Sequence, residues 1–168
     1  QSAQCLEKGI AVLCEKPLGI NVCEVKELIS KAAAHHTFLM EAMWLRFLPS
    51  MALVMNIIDK EMSGEALSLT ATVCYKEQED ADNRFFNPAL GGGSLLDLGV
   101  YNIFLATLLF GRPDAVKAMA QLNERGADES CAILLKYAGG RYAMLESSIV
   151  KKADNEALIY GRQGFIRI

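Results

Sequence analysis

The chain has 168 residues, 52% hydrophobic and 22% charged, with a formal net charge of −3. That length makes one domain, or one and part of another, with enough chain to bury a core, and the composition is globular rather than disordered or fibrous. A slightly acidic balance without a Lys/Arg stripe argues against nucleic acid, and apolar runs about half the length of a bilayer crossing argue against a membrane segment.

The first half alternates. Residues 1–8 read as the end of a helix closed by Gly9, and residues 10–16 as a short buried strand. Asn21 is a good N-cap with Glu24 three residues on, as in a capping box. Behind it Val22, Val25, Leu28, Ile29 and Ala32 recur at helical spacing. His35 and His36 close that helix, where cations suit its dipole. Residues 37–43 form a second strand. From Leu45 the positions Leu48, Met51, Ala52, Met55 and Ile58 predict another helix, ending near Gly64. Helix–strand–helix–strand at this spacing is the pattern of a parallel, doubly wound sheet.

The second half changes character. Residues 66–75 alternate, with Leu67, Leu69, Ala71, Val73 and Tyr75 on one face and Ser68, Thr70, Thr72 and Cys74 on the other. The hydroxyl-rich face suits either solvent or the surface of a second copy. A loop over 76–93 leads into one apolar helix over 94–111. Strands follow over 114–122, 130–137, 141–150, 156–161 and 164–168, with Ala138-Gly139-Gly140-Arg141 as a hairpin turn. The fold class is therefore α/β plus α+β. A C-terminal remnant of a Rossmann-type domain (1–45) precedes a mostly antiparallel sheet with helices on one face (46–168).

Five cysteines, odd in number and widely spaced, with no C-x-x-C and only two histidines, argue against a zinc site. They suggest a reducing, cytoplasmic compartment. The N-terminus carries charge and no apolar core, so it is not a signal peptide. There is no initial Met and Ile168 stops inside an apolar run, so the sequence reads as a segment of a longer protein, incomplete at both ends.

Three clusters bear chemistry. Glu15-Lys16-Pro17 lies at the end of the first strand, where ligands bind in open α/β sheets. It is either a substrate-facing lysine or an ordinary turn. Gly91-Gly92-Gly93 precedes Asp97 and Tyr101, which are four apart in an otherwise apolar helix. These two either satisfy each other or act as a general acid/base pair. Trp44 and Arg46 follow the second strand, as a core aromatic and surface cation or as walls of a pocket.

Taken in order, E-K-P-L, E-A-M-W-L-R-F and G-G-G-S-L-L-D-L-G-V-Y resemble the glucose–fructose oxidoreductase/inositol dehydrogenase family of nicotinamide-dependent dehydrogenases, and most of all its dihydrodiol-oxidising branch. The likeness runs to the closing Y-G-R-Q-G-F-I-R-I. It implies hydride transfer between a diol or an aldose such as D-xylose and NADP. Lys16 matches the family lysine that contacts the nicotinamide region and the reacting hydroxyl, with Glu15 and Pro17 shaping its loop. Asp97 matches the substrate-binding aspartate. Tyr101 stands where many relatives carry histidine. A phenol ordinarily ionises near pH 10, so as a base it needs a cation, the role implied for Lys16. Trp44 and Arg46 would flank the cofactor pocket, and no metal is implied. No G-x-G-x-x-G follows a strand, so the phosphate-binding part of the nucleotide domain is expected upstream. The substrate is a small molecule, and a homodimer through the open sheet face is expected. Two other readings stand beside this one: a non-catalytic relative kept as a dimerisation module, and a reductase of the same fold acting on another substrate such as a linear tetrapyrrole.

Overall fold

The computed structural model describes residues 1–60, 65–78 and 83–168. They divide into two compact units, Gln1–Trp44 and Leu45–Ile168.

The first unit runs α1 (Ser2–Glu7), β1 (Val12–Cys14), α2 (Val22–Ala34) and β2 (Leu39–Glu41). The strands pair in parallel, Val12 opposite Leu39 and Cys14 opposite Glu41. Leu6, Val12 and Ala32 make a small core, joined by Cys5, Cys14, Leu28 and Leu39. Asn21 caps α2: its Oδ1 accepts from the backbone N–H of Cys23 and Glu24. Glu24 reaches back to the N–H of Ile20, one residue earlier than a capping box predicts. Parallel strands joined through a helix are Rossmann-like in pattern.

The second unit is a six-stranded sheet with helices on one face. A 3₁₀ turn, Trp44–Phe47, leads to α3 (Pro49–Lys60). The helix expected from Leu45 starts at Pro49, whose fixed φ suits a first turn. Its expected end near Gly64 lies outside the described residues. The strands are β3 (Ala66–Cys74), β4 (Ala115–Leu122), β5 (Asp128–Lys136), β6 (Tyr142–Ser148), β7 (Glu156–Gly161) and β8 (Phe165–Arg167), in the order β4-β5-β6-β3-β7-β8. Every neighbouring pair is antiparallel except β3–β6, which is parallel. The parallel pair sits mid-sheet because the chain passes through α4 (Val100–Phe110) between β3 and the later strands.

Alternation in β3 holds from Leu69 to Thr72; beyond it Val73 is half-buried and Cys74, expected on the hydroxyl-rich face, is buried. A bulge between Ala66 and Ser68 shifts the register. Ala66, not Leu67, therefore joins Leu69 and Ala71 in the core. Tyr75 falls beyond the strand and is exposed. The core packs Met51, Val54 and Ile58 of α3 and Leu105, Ala106 and Phe110 of α4 against β3, β5, β6 and β7.

The other face carries no helix among the described residues. Ser68, Thr70 and Thr72 lie at its centre. Around them Met119, Leu134, Met144, Tyr142, Tyr160 and Phe165 are each more than a third exposed. A shallow hollow of ≈ 870 Å³ lies over Thr70, Thr72, Met119, Leu134 and Met144.

By length and composition Pro88–Phe110 reaches what a bilayer crossing needs, which the count of unbroken apolar runs had missed. Half of its most apolar window is buried, and the segment is broken by a 3₁₀ turn, glycines and a π turn. Its α-helical part supplies Leu105, Ala106 and Phe110 to the core.

Candidate active site

At the end of β1, Cys14 accepts a backbone hydrogen bond from Ala42 at 2.7 Å. Two residues further on, the Lys16–Pro17 peptide is cis. The N–H of Leu18 donates to Glu41 Oε1 at 2.8 Å, which ties the loop to the last residue of β2. Lys16 thus stands half-buried on a loop stitched to the neighbouring strand on both sides, while Glu15 is exposed. These are the C-terminal ends of two parallel strands, the end from which such sheets bind ligands.

The second cluster is built by glycines. A Cβ on Gly92 would lie 2.2 Å from the carbonyl oxygen of Arg84 and 2.7 Å from that of Asn87. Gly93 has φ +114, which side chains rarely adopt. The chain then enters a π turn, Leu95–Gly99, before α4 begins at Val100. One α-helix over 94–111 was expected. At Gly99, the last residue of that turn, the backbone runs close to β6: a Cβ there would come 3.0 Å from Ser147 Oγ and 3.1 Å from Leu95. The spacing of Asp97 and Tyr101 is therefore not that of a regular α-helical face. Single π turns concentrate at functional sites.

Asp97 lies in that turn, its side chain 12% exposed, and accepts from Arg84 Nη2 at 3.0 Å. The Arg84 guanidinium lies 4.2 Å from the centre of the Phe85 ring, within cation–π range. The adjacent Phe86 is buried with Leu98 and Ile149 and anchors the segment under the π turn. Tyr101 stands half-buried in the first turn of α4. Beside it Asn102 is buried and donates to the carbonyl of Glu146 at 2.8 Å, which sets the rotation of α4 against β6. Sequence reading missed Arg84 and Asn102. An arginine followed by two aromatics just after an N-cap asparagine, and an amide inside an apolar helix, were the available signals.

The structure thus joins Asp97 to Arg84 and sets Tyr101 on the same continuous segment in the second unit. Glu15, Lys16 and Pro17 share one loop in the first. Trp44 and Arg46 share the 3₁₀ turn at the junction, both exposed. Trp44 is 52% exposed, which overturns the core-aromatic alternative.

Residues 51–167 match the family model described as the GFO/IDH/MocA C-terminal domain. The chain belongs to the Gfo/Idh/MocA family of oxidoreductases. Its residues 1–43 match the model described as oxidoreductase family, NAD-binding Rossmann fold. Trans-1,2-dihydrobenzene-1,2-diol dehydrogenase of Xenopus tropicalis is 38% identical over 169 residues, covering 98% of this chain and 50% of that protein. The Homo sapiens protein of the same name is 31% identical over 166 residues, covering 98% and 49%. Among solved structures, aldose-aldose oxidoreductase from Caulobacter crescentus, complexed with glycerol, superposes with a TM-score of 0.91 at 24% identity, covering 99% of this chain and 51% of that one. The chain spans about half the length of the curated relatives it matches.

Proposed function

We propose that the whole protein carrying this chain oxidises a hydroxyl-bearing carbon of a trans-dihydrodiol, or of an aldose such as D-xylose, with NADP. The observation that carries this reading is the Asp97–Arg84 pair on a π turn that runs directly into Tyr101, in a family whose matched relatives are named dihydrodiol dehydrogenase. Tyr101 is the base that takes the hydroxyl proton, and Lys16 supplies the cation of the proposed chemistry. Asp97, oriented by Arg84, accepts from a second hydroxyl of the diol or sugar and so fixes which carbon reacts.

The strand-end loop fits the nicotinamide end of a dinucleotide, since it offers a half-buried ammonium beside the ends of two parallel strands. Glu15, Lys16, Pro17, Trp44 and Arg46 are the residues that would hold that end. When bound, NADP supplies the hydride acceptor. The absorbance of NADPH formed from D-xylose or a benzene trans-dihydrodiol by the full-length protein tests the activity. If Lys16→Met leaves that rate within about twofold, the catalytic assignment falls, because a base assisted by charge contributes about a hundredfold or more.

The partner on the open sheet face is a second copy of the chain. Ser68, Thr70 and Thr72 allow close approach, and the ring of exposed methionines and aromatics around them is a patch that monomers rarely leave in water. The compartment is cytosolic: none of the five cysteines is joined to another, and two are buried as small apolar groups.

A further inference from the structure

The π turn that carries Asp97 is entered through a part-buried polar clamp that the proposed chemistry does not use. Asp128, the first residue of β5, turns its Oδ2 toward the start of that turn. There it accepts from Ser94 Oγ at 2.7 Å and from the N–H of Leu95 at 2.7 Å. Ser94 is fully buried, and its oxygen also lies 3.0 Å from Ser147 Oγ on β6. The other carboxylate oxygen faces Gly93, where a Cβ would sit 2.2 Å away. Helix entries leave backbone N–H groups without intrahelical partners, and a residue next to the turn usually caps them. Here Ser94 makes no such cap bond to its own helix. The cap comes instead from a strand that lies 33 residues further along the chain.

We infer that Asp128 is a positioning residue of the site: it fixes the direction in which the π turn leaves Gly93 and thereby aims Asp97 and Tyr101. This rests on the dehydrogenase reading for its effect on turnover, but not for its effect on the turn. The geometry selects carboxylate and glycine together. An acceptor on β5 can reach Leu95 only because position 93 has no side chain, and the φ of Gly93 delivers Leu95 N–H to that acceptor. Asp97 lies two residues beyond the clamped N–H, and Tyr101 six. A reorientation of the entry therefore carries to both, since the backbone of the turn passes close to Ser147 at Gly99 and leaves no room for a side chain there.

The test compares Asp128→Ala, Asp128→Asn and Gly93→Ala in the full-length protein, by hydrogen exchange of the segment 95–101 and by steady-state kinetics per folded molecule. Asp128→Ala should speed exchange across 95–101 by about tenfold or more. It should lower kcat by about a hundredfold, as a small misplacement of reacting groups does, while NADPH affinity stays unchanged. Asp128→Asn keeps an oxygen where Oδ2 stands and should recover kcat to within about fivefold of wild type. Gly93→Ala should behave like Asp128→Ala, because its methyl displaces the carboxylate. If Asp128→Ala fails to fold, Ser94→Ala, which removes one of the two donors, takes its place with a smaller change of the same sign. The proposal is overturned if exchange over 95–101 is unchanged in Asp128→Ala. It is equally overturned if melting falls while kcat per folded molecule does not, or if Asn rescues no better than Ala. A wild-type protein without turnover overturns the dehydrogenase reading instead, and exchange with the Asn rescue then decides the role of Asp128 by itself.

Discussion

Asp97, Arg84 and Tyr101 show how much one side-chain contact adds to a motif. An aspartate in an apolar helix is ambiguous until its partner is known. The partner is a half-exposed arginine 13 residues earlier in the chain, at 3.0 Å. An ion pair whose cation is half-exposed to solvent contributes little to folding, so its effect belongs to orientation. Arg84→Met is therefore expected to raise the KM for the diol or sugar about tenfold, while the melting temperature moves by no more than about 2 °C. Steady-state kinetics beside a thermal melt checks both halves, and a large fall in melting temperature would place Arg84 in the scaffold. Tyr101→Phe removes only an oxygen from a half-buried ring. It should lower kcat by about a hundredfold or more with KM little changed. A Phe variant that retains wild-type kcat would remove Tyr101 from the role of base.

At the scale of elements, glycines and the core set the packing around the π turn. Gly92 is enclosed by three backbone carbonyls, those of Arg84, Asn87 and Phe85, all within 2.8 Å of where a Cβ would be. Backbone cannot swing aside as a side-chain tip does. Gly92→Ala is expected to cost about 3 kcal/mol in denaturant unfolding, near the upper end of overpacking. Leu69, fully buried mid-way along β3, belongs to the core to which α3 and α4 also contribute. Leu69→Ala should cost about 3 kcal/mol by lost transfer and the cavity left behind. Thr70, one residue on and pointing to the open face, should tolerate alanine with little change, a contrast that measures the alternation of β3 directly.

At the scale of the whole molecule, the sheet has one face covered by helices and, among the described residues, one bare. Sedimentation velocity should show a dimer at micromolar concentration, and Met144→Arg, beside Thr70 on the bare face, should yield a monomer. A wild-type monomer under those conditions ends the proposal of a second copy there. Burial pushes the Cys74 and Cys131 thiols and the Tyr137 phenol up. As pH rises, the unfolded chain loses these protons first, while the folded chain still holds them. Native protein then binds more protons than unfolded protein, so stability falls with rising pH. Below about pH 8 both states hold these protons and the groups contribute nothing to the pH dependence. Unfolding free energy should therefore fall above about pH 9, with a shallower fall in Cys74→Ala/Cys131→Ala. A double variant with the same alkaline slope would exclude the two thiols as the cause.

The order of elements was legible because it depends on local periodicity. The helical spacing behind Asn21, the alternation from Leu69 and the glycine-marked hairpin at 138–141 all rest on neighbours a few residues away. The candidate site residues Lys16, Asp97 and Tyr101 stood out for the same reason, as polar groups inside short apolar patterns. Three features were not legible: the π turn, the bulge at Ala66/Ser68 and the parallel pairing of β3 with β6. Each is decided by atoms distant in sequence, such as Ser147 against Gly99 or Asp128 against Gly93. Local pattern selects which residues become strand or helix. Only the packed structure decides where a turn must widen, and which arginine meets which aspartate, because those choices turn on contacts across 13 to 53 residues of chain.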